Sequence, residues 1–160
     1  MVLWNFAYGS HLFRAQFCSI IGGQPEQAIP AVLFDHRLTF RRILYYPPEY
    51  AHLADGGGGP ALLPQRAGIV HGVLYRISQE QFEQLDRYER DWGYASVACH
   101  VKAKDGKQVQ ALAHTLPLEG AFCPPTQDFL SLMLQGAQEL GYGPEVIQAI
   151  QRAATQEKPL

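Results

Sequence analysis

Hydrophobic positions repeat along this chain with two different periods, and the changes between them predict its elements. VLWNFAY, residues 2–8, is short, apolar and rich in bulky side chains, the composition of a buried strand. Residues 11–18 suit a short helix, after which IGGQPEQAIP is a connection punctuated by Gly and Pro. Val32, Phe34, His36, Leu38 and Phe40 alternate with other residues, which predicts a strand over 31–46 with this set on one buried face. Residues 47–64, PPEYAHLADGGGGPALLP, show no period and are expected to form a flexible loop. GIVHGVLYRI is a strong strand, followed by a helix through SQEQFEQLDRYERDW. YASVACHVKA and KQVQALAHTL flank Asp105-Gly106, which predicts a hairpin. A helix from about residue 126 to 140 places Phe129, Leu132, Met133, Ala137 and Leu140 on one face. Gly141 ends it, and Pro144 opens another with Val146, Ile147 and Ile150 inward. The polar tail 155–160 is expected to fray. Strands and helices do not alternate regularly, so the fold class is α+β rather than a doubly wound sheet.

Composition narrows the function. At 160 residues the chain is expected to be one domain, 1–160, with a sizeable core. A net charge of −2 provides no basic face to neutralise phosphates, so no nucleic-acid partner is expected. Cys18, Cys99 and Cys123 have no CxxC spacing and cannot all pair, which fits a reducing compartment. The opening MVLWNFAYG lacks the charge and apolar run of a signal peptide, and no segment is apolar for long enough to span a bilayer. These readings predict a cytoplasmic monomer or homodimer without a membrane partner.

The candidate chemistry is sparse. Six histidines are scattered without an HxxxH pair, so no metal site is expected. The four glycines 56–59 are not followed by GK[ST] and do not make a phosphate loop, although a long loop there has the form of a lid. No GxSxG turn or recognisable cysteine nucleophile is present. In the helix beginning at Ser78, a capping box with Gln81 sets the start, and Phe82, Leu85, Tyr88 and Trp92 share one side. Glu83, Gln84, Arg87 and Asp91 point away, while Glu89 falls inside the apolar stripe and Asp86 at its edge. A carboxylate in that position has two readings: it bends to solvent or pairs with a buried Arg, or it is a general base whose pKa burial has raised. At the other end, Tyr8-Gly9-Ser10 joins the first strand to a helix, with Ser10 placed to cap it. A helix starting after Ser10 would turn unsatisfied amides from residues 9–12 toward a carboxylate or oxyanion.

With these residues in view, the chain resembles the gamma-glutamylcyclotransferase family. FAYGSHL is similar to the family's FAYGSNL signature, and GVLYRISQEQFEQLDRYE is similar to the strand and helix carrying its LDxxE, whose Glu is Glu89. PPTQDFLSLMLQGAQELGYGPEVIQAI resembles the family's C-terminal segment. The resemblance implies a small mixed β-barrel with flanking helices. It also implies conversion of a γ-glutamyl amine or peptide to 5-oxoproline with release of the free amine, with no cofactor. The substrate's α-amine is its own nucleophile, so Glu89 would act as proton carrier. The turn Tyr8, Gly9, Ser10, His11 and Leu12 would hold the glutamyl group, with Tyr94 counted among the substrate-binding residues. The chain departs from the family at His11, where the signature has Asn, at Arg90, where Gly usually follows the Glu, and at Leu118-Glu119-Gly120-Ala121, where a Tyr often stands. Ser10 also sets it apart from a related branch with a YGTL-type turn that acts on γ-glutamyl amines of lysine. Two alternatives stand beside the enzyme: a non-catalytic binder of a small carboxylate on the same fold, and an interaction protein that docks a partner through residues 47–64.

Overall fold

The structure is a computed structural model that describes residues 2–44 and 56–155. Five strands close a barrel in the order β1-β3-β2-β4-β5, where β1 is Val2–Ala7, β2 Gln27–Arg41, β3 Gly59–Ser78, β4 Ala95–Ala103 and β5 Gln108–Thr115. Neighbours run antiparallel except where β1 meets β5 in parallel, at Asn5↔Leu112 and Phe6↔Ala113. Among the described residues, four helices flank the barrel: α1 Arg14–Ile21, α2 Gln79–Asp91, α3 Gln127–Glu139 and α4 Pro144–Thr155. The α+β expectation is borne out, and the barrel has the predicted mixed character. Among the described residues, no helix is long and apolar enough to cross a membrane.

Strand β3 is long because it serves two partners, pairing with β1 along Val73–Ser78 and with β2 along Gly59–Pro64 and Ile69–Arg76. Its near-continuous apolar run follows from burial on both faces. Leu74 and Val70 enter the barrel with Phe6, Leu33 and Val101. Val73, Tyr75 and Ile77 face outward into a second core shared with Phe17, Leu85, Met133 and Ile150 from the helices.

The β2 alternation was expected to bury the even-numbered residues from Val32 to Phe40. Instead Ala31 and Leu33 are buried and Phe34 is 44% exposed. A bulge between Phe34 and His36, with Asp35 at φ 61°, inserts one residue and reverses the phase, so that Phe40 beyond it is buried. One extra residue in a period of two exchanges the faces.

The strand also starts earlier than expected, at Gln27 rather than residue 31, and ends earlier, at Arg41, with residues 42–44 outside it. The predicted loop 47–64 is corrected as well: residues 59–64 belong to β3, where Gly59 pairs with Arg41 and Leu62 with Leu38. Residues 47–55 of that segment lie outside the described residues, as do 156–160 of the expected tail. The β4–β5 hairpin turns at Asp105-Gly106 as predicted, with Gly106 at φ 92° and the Lys107 amide donating to Asp105 Oδ1 at 3.0 Å.

Candidate active site

Strand β1 stops at Ala7, and the chain makes one 3-10 turn, Ser10–Leu12, before α1 begins at Arg14. Ser10 does not cap either helix with its side chain. Gly9 is required for close packing: a Cβ there would lie 2.7 Å from Pro60 Cγ. The turn is pinned by two buried phenols. Tyr8 Oη donates to the His114 carbonyl at 2.7 Å, and Tyr75 Oη donates to the His11 carbonyl at 2.8 Å. Within the turn, the Leu12 amide is spent on Gly9 O and the Phe13 amide on Ser10 O, both at 3.0 Å. Among the described residues, no acceptor takes the Gly9 or Ser10 amide.

Helix α2 supplies the carboxylates. Its start is set by the predicted capping box, with the Gln81 amide donating to Ser78 Oγ and the Ser78 amide to Gln81 Oε1. Leu85 is fully buried, an anchor worth about 1.5–3 kcal/mol on burial alone. Glu89, one turn further on, is thereby aimed back at the 3-10 turn, where its Oε1 lies 3.3 Å from His11 Nδ1. The two side chains are only 12% and 10% exposed. Burial, reinforced by the neighbouring Asp86 carboxylate, pushes the Glu89 carboxyl up to about 8. Burial, reinforced by His114, pulls the His11 imidazole down to about 4. The separation would suit an ion pair, but desolvation favours the neutral form of each partner. At neutral pH the contact therefore holds a carboxyl proton between the two groups rather than two full charges.

A second carboxylate–imidazole pair stands beside the first. Asp86 Oδ1 meets His114 Nε2 at 2.8 Å, and Arg90 Nε donates to Asp86 Oδ2 at 2.6 Å. Burial works to raise the Asp86 carboxyl, but the hydrogen bonds from His114 and Arg90 outweigh it and hold it below its ordinary value. Burial lowers the His114 imidazole, with Asp86 opposing that shift. Asp86 is therefore ionised, and Nε2 of His114 carries the hydrogen.

His11 and Glu89 of the first pair and His114 of the second open on one cavity of about 440 Å³, enclosed by the turn, the C-terminal part of α2, the start of α3 and residues 56–58. Of the residues expected from sequence, Tyr8, Gly9, Ser10, His11, Glu89 and Tyr94 line it. Leu12 does not: its side chain is 1% exposed within the core, and its amide is already bonded. Asn5 and His114 also line the cavity, and the sequence reading missed both. His114 had one available signal, since β5 alternates Ala111 and Ala113 inward and thus turns Leu112 and His114 toward the helices.

A family model described as gamma-glutamyl cyclotransferase, AIG2-like, matches residues 5–131, which includes the turn and all of α2. The chain belongs to this family. Its fold is that of the solved gamma-glutamyl cyclotransferases. One structure of that name is 20% identical, with 99% of this chain and 91% of that chain covered and a TM-score of 0.79. YkqA from Bacillus subtilis is 21% identical over 99% of this chain and 56% of that one, with a TM-score of 0.77. A yeast gamma-glutamyl cyclotransferase specific to glutathione is 14% identical over 98% and 99% of the two chains, with a TM-score of 0.66. Comparison with curated proteins finds no match.

Proposed function

We propose that this member of the gamma-glutamyl cyclotransferase family is an enzyme that closes a γ-glutamyl amine or peptide to 5-oxoproline and frees the amine. The observation that carries this reading is the position of Glu89: a carboxylate shielded from water, on a cavity that the Tyr8-Gly9-Ser10 turn also lines. A binder of small carboxylates would retain the turn but has no need of a buried acid whose pKa is raised toward neutrality.

In this mechanism the glutamyl portion sits against the turn. The Gly9 and Ser10 amides, which no described residue accepts, hydrogen-bond the oxyanion that develops on the γ-carbonyl. Glu89 in its ionised form takes a proton from the α-ammonium, and the freed amine attacks the γ-carbon to close a five-membered ring. Holding amine and carbonyl together in the cavity supplies a large part of the acceleration through orientation. His11 keeps the Glu89 carboxyl facing the turn.

The test is a panel of γ-glutamyl dipeptides and γ-glutamyl amines incubated with the protein, with 5-oxoproline measured. Release from at least one class supports the reading. No 5-oxoproline from any member overturns it.

A further inference from the structure

The cyclisation moves two protons, since the α-nitrogen enters as an ammonium with three hydrogens and ends as a lactam nitrogen with one. The departing nitrogen gains both. Glu89 carries one proton at a time. We propose that His114, oriented by Asp86, is a second acid–base residue of this cavity and carries the second proton. The proposal rests on the cyclotransferase reading above.

The geometry is that of an imidazole prepared for proton transfer. Asp86 Oδ1 binds Nε2 at 2.8 Å, and Arg90 holds the other carboxylate oxygen at 2.6 Å, so the acid cannot swing away without breaking a second bond. With the hydrogen on Nε2, the lone pair lies on Nδ1, which has no hydrogen-bond partner among the described residues. The ring is held flat by Phe82, stacked at 5.8 Å and 24°. His114 lines the same cavity as Glu89. A carboxylate that fixes the tautomer and stabilises the imidazolium as it forms is the arrangement that makes histidine an effective base. Burial, by lowering its pKa, keeps His114 neutral and ready to accept.

Glu89 takes the first proton from the α-ammonium. The amine lone pair forms the new carbon–nitrogen bond, and the carbonyl π pair moves onto oxygen. The ring nitrogen, now cationic with two hydrogens, gives one to Nδ1 of His114. The oxyanion re-forms the carbonyl, and the bond from the γ-carbon to the departing nitrogen breaks as that nitrogen takes the proton from Glu89. The His114 imidazolium then protonates the freed amine, which restores both residues.

The experiment measures kcat/KM for 5-oxoproline release between pH 5 and about 10 in the wild type, His114→Gln and Asp86→Asn, with thermal melting alongside. The charged and titratable groups around His114 are Asp86 and Arg90 from α2, His11 from the turn and Tyr8 just after β1, with Glu89 on the same cavity. In the wild type, log kcat/KM should fall toward acid first with unit slope, as Glu89 protonates, and then more steeply as His114 does too. His114→Gln should lower kcat by about 10²-fold, leave KM nearly unchanged, and abolish the steeper segment while keeping the first. Asp86→Asn should lower kcat by about tenfold and move the steeper segment to lower pH, because the imidazolium has lost its anion. A structural role would lower melting without changing the slopes. A folded His114→Gln with wild-type kcat and the steeper segment intact overturns the proposal alone. If that variant does not fold, an unmoved segment in Asp86→Asn overturns it. A wild type that forms no 5-oxoproline overturns the cyclotransferase reading and this proposal together.

Discussion

His11 and Glu89, 78 positions apart in sequence, bring Nδ1 and Oε1 to 3.3 Å in a place nearly closed to water. The residue that departs from the family's turn signature is therefore the one that touches the buried carboxyl. A neutral imidazole accepting from the carboxyl stabilises its protonated form, whereas an Asn amide donates and stabilises the ionised form.

His11→Asn should accordingly keep or raise turnover at neutral pH. It should also move the Glu89 limb of the kcat/KM profile down from about 8. A pH series on both proteins checks this. A large loss of activity at every pH, in a variant that melts normally, would give His11 a role in substrate binding that this account does not contain.

Much of the fold was legible because most elements carry their period in local sequence. The β4–β5 hairpin and the capped start of α2 need only neighbouring residues. The phase of β2 was misread because the bulge at Asp35 inserts a residue without a glycine or proline to mark it. The first turns of β3 were hidden because the partners of residues 59–64 are residues 36–41, across the glycine run. In the site, Glu89 was visible as a carboxylate in an apolar stripe. The Asp86–His114 pair joins residues 28 positions apart in different elements, so no local pattern shows it. Leu12 was assigned to the turn's binding surface from its place in the signature, but the 3-10 geometry turns it into the core.

The loop that carries the glycine run has, in sequence, the form of a lid. Gly58, however, donates its amide to the Pro124 carbonyl at 2.8 Å, and a Cβ at this position would overlap the Cys123 carbonyl. Gly58→Ala should therefore lower the melting temperature by several degrees, roughly the effect of 1–3 kcal/mol of overpacking. A melting curve unchanged from wild type would contradict this close packing.

The cavity also limits the leaving amine. None of the described residues lining it is Lys or Arg, and residues 45–55 contain neither, while Asp128, Trp92 and Phe129 are part of its wall. A leaving group with its own carboxylate would bury that charge without a cationic partner. γ-Glutamyl amines with an apolar or cationic leaving group should exceed γ-glutamyl dipeptides in kcat/KM by at least about tenfold, equivalent to about 1.4 kcal/mol. Competition assays on paired substrates check the order, and a preference for dipeptides would contradict it.

The central claim is that Glu89 carries the proton, and Glu89→Gln tests it most directly. Gln has nearly the same shape and can still hydrogen-bond, so packing on Leu85 should survive. It cannot take a proton from an ammonium, so 5-oxoproline release should fall by at least about 10²-fold on any accepted substrate. Thermal melting is the folding control, and its sign follows from the raised pKa. The stability associated with the neutral carboxyl is fully present below the ordinary value of 4.5 and is lost as pH rises through about 8. The variant, with no charge to bury, should therefore melt at or above the wild-type temperature, with the gap opening as pH rises from 4.5 to about 8 and levelling off above that. A variant that melts in this way and has lost turnover is the predicted result. One that melts normally and forms 5-oxoproline at the wild-type rate would contradict the mechanism.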